Sequence, residues 1–269
     1  MTDNDEMPDM RARVVGRGPP VSVTTVRLPR IGGRYSGASH VRFWPMSIRD
    51  VDFSGVRFDQ FLAEGTRFIR CNFTDSQLDG SFGVRRQTRF EHCVFSETSM
   101  SGVDPGQARF IDCRFENANM FRWDALAAEF VDCEFSGVLS ECNFWGKPSD
   151  DWIERGLKPR RATNECRGND FQAAELLSVA FKGGIDIRAQ RWPAGPEYIT
   201  LDRLQERIRR ARPIVGRWAD DERAEAELML EIYSTGGYEE QDELFAHRWE
   251  LGVPRAVADR VWCLLEGID

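Results

Sequence analysis

The sequence predicts a mainly β fold, a coil of stacked four-sided turns, followed by an α-helical C-terminal part. Three observations carry this. Between residues 41 and 144 a small residue, followed two positions later by Phe, Leu or Met, recurs every five residues. Four eight-residue segments starting at Thr66, Thr88, Ala108 and Ala128 align with one another at spacings of 22, 20 and 20 residues. From about residue 196 the fivefold pattern gives way to helical patterning with Pro near segment starts and Gly after segment ends.

A period of five fits neither a helix at 3.6 nor a flat strand at 2. Nested inside a period of twenty, it fits a coil with four sides, each turning one small and one large side chain inward. Stacked coils pair their backbones one strand spacing apart, about 4.8 Å. One inward column is then Ile48, Phe68, Phe90, Phe110 and Phe130, the next Phe53, Phe73, Phe95, Phe115 and Phe135, and the third Phe58, Leu78, Met100 and Met120. The fourth is expected to hold Ala63, Gly83, Pro105 and Ala125 and to be irregular, with a two-residue insertion beside it at residues 84–87.

These residues resemble the pentapeptide-repeat family, whose pattern is a small residue, a polar residue, Leu or Phe, then two polar residues. The resemblance covers about 100 residues clearly and resumes at Ala174/Leu176 and Val179/Phe181. It implies a right-handed quadrilateral β-helix. It further implies one open function class, that of DNA-mimicking dimers that bind DNA gyrase or topoisomerase and protect it from quinolones or toxins.

Cys71, Cys93, Cys113 and Cys133 fall at one inward small position, coil upon coil. Zinc sites need ligands that converge, and a linear ladder does not, so these cysteines read as buried, reduced fillers. His40, His92 and His247 belong to no recognisable nucleophile motif, and HExxH, GxSxG and the phosphate-binding GxxxxGK[ST] are absent. The chain therefore reads as a non-enzyme without cofactor or metal.

Outward positions beside the first column read Arg67, Arg89, Arg109 and Glu129 on one side and Ile69, Glu91, Ile111 and Val131 on the other. An arginine stripe beside an aliphatic row is a candidate contact surface, formed by Arg67, Ile69, Arg89, Arg109, Ile111 and Val131. Cover by the chain's own helices is the competing reading. Residues 145–165 interrupt the coil and predict one short helix, N-capped by Ser149 and stopped at Gly156, whose Asp151, Trp152 and Arg155 are further contact candidates.

The expected organisation is an N-terminal segment over residues 1–40, with a capping strand over 21–28, a β-helix over 41–190 with the 145–165 insert, and a helical part over 196–269. Four helices are expected there, over about 200–213 (capped by Thr200), 220–234, 239–251 and 254–267. That part is expected either to pack on the coil or to mediate a homodimer.

The 269 residues carry a net charge of −8, with −4 over residues 41–190, which disfavours direct nucleic-acid binding. No run of about 18 apolar residues exists to cross a membrane. The first ten residues hold Asp3, Asp5, Glu6 and Asp9, the opposite of a basic secretory leader, so a cytoplasmic location is the default expectation. Functionally, the sequence points to a protein-interaction scaffold, with the gyrase-directed reading as the alternative.

Overall fold

The computed structural model describes residues 11–13, 25–27, 33–35, 39–154 and 156–268. Most of it is a parallel β-solenoid of about five turns. Strands Ser47–Arg49, Arg67–Ile69, Arg89–Glu91, Arg109–Ile111, Glu129–Val131 and Cys166–Arg167 stack in parallel as one six-stranded face. Their register puts Ile48, Phe68, Phe90, Phe110 and Phe130 in one column, continued by Cys166 after the insert. In the second column Phe53, Phe73, Phe95, Phe115, Phe135 and Phe171 stack with ring centroids 4.6–5.0 Å apart and planes within 9° of parallel. The third holds Phe58, Leu78, Met100 and Met120, all buried.

The turns between faces use a device the fivefold pattern does not display. Two residues beyond the first column, Asp50, Arg70, His92, Asp112 and Asp132 all adopt left-handed backbone at φ 50–55°. Such a residue costs about 1–2 kcal/mol. Here its N–H reaches the next coil, as from Arg70 to the Glu91 carbonyl at 2.8 Å and from His92 to that of Ile111 at 2.9 Å, so the ladder runs unbroken round the corner.

The fourth face departs from expectation. Ala63 pairs with Phe82, one residue before the expected Gly83, and Val41, Phe61, Gly80 and Val103 form the neighbouring row. Large and small residues alternate from coil to coil, Phe43 against Ala63 against Phe82, and Val41 against Phe61 against Gly80. Gly80, at φ +144°, leaves no room for a side chain, because a Cβ there would overlap the Phe61 carbonyl. A register shift between Ser99 and Gly102 and the buried Trp123, whose Nε1 donates to the Met100 carbonyl at 2.8 Å, complete the irregular side.

Beyond the solenoid, Tyr198–Leu201 pairs antiparallel with Leu244–His247. The helices are α1 (Asp150–Glu154) in the insert and α2 (Leu204–Val215), α3 (Asp220–Ile232) and α4 (Arg255–Glu266) in the C-terminal part. The helix expected over 239–251 is a 3₁₀ turn, Tyr238–Glu240, followed by the strand Leu244–His247. Its side chains alternate between two cores, Leu244 and Ala246 toward the helices and Phe245 toward the solenoid, and two-sided burial at period two is a strand's property. Thr200 lies in a strand and caps nothing, and α2 instead follows Arg203.

Phe245 settles how the C-terminal part sits. Trp192 stacks on Phe171 at 5.3 Å, and Phe245 stacks on Trp192 at 4.2 Å, extending the second column into the C-terminal part. Buried Gln241 accepts from the N–H groups of Gly184 and Ile185 and donates to the Ile185 carbonyl. The C-terminal part therefore packs on the end of the solenoid and satisfies groups that an open coil would expose.

In the insert, Ser149 is buried and its hydroxyl has no hydrogen-bond partner among the described residues, so it does not cap α1. Of the expected N-terminal strand, Thr25–Arg27 is present and pairs antiparallel with Arg11–Arg13, and residues 21–24 and 28 lie outside the described residues. Among the described residues no helix is long and apolar enough to cross a membrane.

Candidate functional site: an arginine-lined cleft

The face bearing the first column carries the expected arginines, but their surroundings differ from a plain stripe. Exposed Arg67 donates twice to Glu91 of the next coil, at 2.7 and 2.5 Å. Half-buried Arg109 reaches Glu129 at 3.3 Å and Glu165 at 2.5 Å. Exposed Arg89 donates to the Gln87 side chain at 3.2 Å.

The aliphatic row is not an exposed surface. Ile69 and Val131 are buried, at 4% and 2% exposure, and Ile111 is half-buried. Each lies in register between neighbours one strand spacing away, Ile69 between Arg49 and Glu91, Val131 between Ile111 and Arg167. The long stems of charged neighbours close over short aliphatic side chains. Trp152 is likewise no contact residue. It is 1% exposed and packs with Leu126 and Ala127, fastening α1 to the solenoid. Asp151 lies in α1 with its side chain outside the description, and Arg155 lies outside the described residues.

What the structure assembles instead is a cleft of about 770 Å³ beside the broken face. Arg89 and Arg109 come from the strands, Arg86 and Gln87 from the two-residue insertion, and Arg160 and Arg161 from the returning tail of the insert. Its one lining carboxylate, Glu129, is 3% exposed and fully engaged. It meets Arg109, Arg161 at 3.2 Å, the Gln87 amide at 2.9 Å and the Glu165 N–H at 3.0 Å. A carboxylate buried this deeply persists only when so paired. Burial lowers the Arg161 pKa, opposed by Glu129 and reinforced by Arg109, and a guanidinium stays charged regardless. Arg86, Arg89 and Arg160 make no ion pair with a carboxylate among the described residues.

The walls are tied down by side chains that sequence reading did not single out. Glu64 accepts the backbone N–H of Arg86 at 2.8 Å and that of Arg85 at 3.2 Å. Buried Gln107 accepts the N–H of Arg160 at 2.8 Å and donates to the Val84 carbonyl at 3.1 Å. The sequence signals for this cleft are Arg89 and Arg109 on one face and the fall of both interruptions of the repeat on the same side of the coil.

The Arg67–Glu91 pair makes the face acid-sensitive. The hydrogen bond from Arg67 holds the Glu91 carboxyl below its ordinary value, against the effect of its burial. A carboxyl whose folded pKa is depressed contributes stability above its unfolded pKa of about 4.3 and loses it as pH falls through the folded value. Thermal melts followed by circular dichroism should show Tm steady from neutral pH to about pH 5 and falling below about pH 4.5. Glu91→Gln should flatten that fall modestly, since Arg67 stays half open to water. An unchanged pH profile in the variant would show that the pair contributes nothing.

Ser39 and Asp59 both approach Nδ1 of His40, at 3.2 and 3.7 Å, leaving no base-and-orienter relay on the two ring nitrogens. Cys71, Cys93, Cys113 and Cys133 are buried in a column, and burial pushes the Cys113 thiol well above its ordinary value. Burial also raises Cys142, to about 11. Among the described residues no three His, Cys, Asp or Glu side chains converge as metal ligands.

The family model described as pentapeptide repeats matches residues 47–82 and 87–122 in eight copies. No curated protein matches the chain. Full-length QnrB1, a plasmid-mediated fluoroquinolone resistance protein, is similar at 16% identity over 60% of this chain and 82% of its own, with a TM-score of 0.21. A trypsin-treated form of QnrB1 is similar at 15% identity over 56% and 74%, with a TM-score of 0.22. No functional property follows from a likeness of that size. The repeat model is thus matched across the solenoid's first coils, and the same inward columns run on to Phe171 and Phe181, so the solenoid is built of pentapeptide repeats.

Proposed function

We propose that this chain is a non-enzymatic protein-interaction scaffold whose contact surface is the arginine-lined cleft. The observation that carries this reading is a fixed cleft that gathers Arg86, Arg89 and Arg160, none of which makes an ion pair with a carboxylate among the described residues, while Arg67, Arg70, Arg114 and Arg122 are each bridged to a neighbouring coil. Loops held on a rigid scaffold are where binding residues concentrate.

The gyrase- or topoisomerase-directed alternative needs a continuous acidic track to imitate DNA. Here Asp50 is bridged to Arg70, Glu134 to Arg114 and Glu141 to Arg122, each on a neighbouring coil. Such alternation disfavours DNA mimicry. Titration into a supercoiling reaction with the host's gyrase, with and without a quinolone, should accordingly leave supercoiling unchanged. Inhibition or drug rescue at low protein excess would restore that alternative.

The scaffold reading is tested by placing a photo-crosslinking residue at Arg89, or on a distant face at Arg57, in the full chain expressed in its native cells. A discrete crosslinked partner from position 89 and none from 57 is the expected result. Identical background from both positions would overturn it.

A further inference from the structure

Resting on the scaffold reading, we infer that the cleft takes an extended acidic peptide segment, whose carboxylates seat on Arg86, Arg89 and Arg160. The sign of the cleft is the first argument. A chain of net charge −8, with −4 over residues 41–190, gathers five arginines against one lining carboxylate. Glu129 engages Arg109 and Arg161, and the other three guanidinium groups make no ion pair with a carboxylate among the described residues.

Geometry then selects the ligand's form. The three arginines stand on separate walls, the 84–87 insertion, the strand face and the insert's tail, so one compact anion is a poor match for an open cleft of about 770 Å³. An extended peptide places same-side residues about 6.8 Å apart, and alternate Asp or Glu residues can then reach different walls. Each guanidinium fork matches a carboxylate bidentately.

The cleft is also built before its ligand arrives. Glu64 fixes the backbone of Arg85 and Arg86, Gln107 fixes that of Arg160, and Glu129 fixes that of Glu165. Little loop ordering remains to oppose binding. A nucleic-acid strand fits less well, since single-strand grooves supply aromatic side chains on which bases stack, and no aromatic residue lines this cleft among the described residues.

The test is fluorescence anisotropy of a labelled hexaglutamate peptide titrated with the full chain at low salt. Unlabelled hexaglutamate, hexalysine, inorganic phosphate and a short oligothymidylate serve as competitors. The inference expects saturable binding, displaced by hexaglutamate and not by hexalysine. It also expects binding weakened at least about tenfold in Arg86→Ala/Arg89→Ala/Arg160→Ala, with Arg57→Ala unaffected. The altered side chains are all exposed, and an unchanged melt would show that the triple variant stays folded. Absence of binding by the native chain, equal binding by the folded triple variant, or displacement by phosphate at equimolar concentration would overturn it. So would displacement by oligothymidylate at lower concentration than by hexaglutamate. A crosslinked partner at position 89 would stand in any of these cases, so failure here is distinguishable from failure of the scaffold reading.

Discussion

Replacing Phe95 with alanine is expected to cost about 3–5 kcal/mol, a large part of the 5–15 kcal/mol that holds a typical domain folded. Phe95 is fully buried, and its ring is sandwiched 5.0 Å from Phe73 and 5.0 Å from Phe115, nearly parallel to both. Its edge meets Phe90 and Phe110 of the first column. Because each coil touches mainly its neighbours, a hole in a central coil weakens both junctions at once. Denaturant unfolding followed by circular dichroism and tryptophan fluorescence should show a lowered midpoint and a separation of the two signals, since the tryptophans other than Trp44 lie C-terminal to the hole. A loss under about 1.5 kcal/mol would mean that the column closes over the cavity, as adaptable cores do.

Gly80→Ala should be as damaging, although it adds a single methyl group. A positive φ of 144° suits glycine alone, which contributes about 1–3 kcal/mol of strain, and overlap with the Phe61 carbonyl adds about 1–3 more. Phe61 cannot give, because its carbonyl is backbone inside a paired strand. Gly156→Ala is the matched control. It also has positive φ, at 72°, but no described residue lies within 4 Å of the added carbon, so only the conformational part, about 1 kcal/mol, is expected. Equal losses in the two variants would show that the close approach at Phe61 contributes nothing.

Three columns of the solenoid were legible because Phe68, Phe73 and their equivalents keep strict five-residue spacing inside a twenty-residue turn. The fourth was not, because Phe43, Phe61 and Phe82 exchange large for small from coil to coil, and a register shift hides their alignment. The run Leu244–His247 carries too few residues to reveal its period, and only its burial between two cores makes it a strand. The outward residues were placed on the right face, yet their exposure depended on in-register neighbours, which is why Ile69 and Val131 are closed over. Of the cleft, local pattern shows only Arg89 and Arg109 on one face. Arg86, Arg89 and Arg160 meet only because the insert returns beside the residue 84–87 insertion, tied there by Gln107.

The stacking of Phe245 on Trp192 bears on how such a chain can change length. A coil duplicated in the interior, between strands as alike as Arg89–Glu91 and Arg109–Ile111, would present the same surface above and below and leave its neighbours content. A coil added after Trp192 would separate it from Phe245 and from the Gln241 side chain that completes Gly184 and Ile185. Growth by duplication is therefore open to the middle of the molecule and closed at its C-terminal end, where the last coil and its cover form a matched joint.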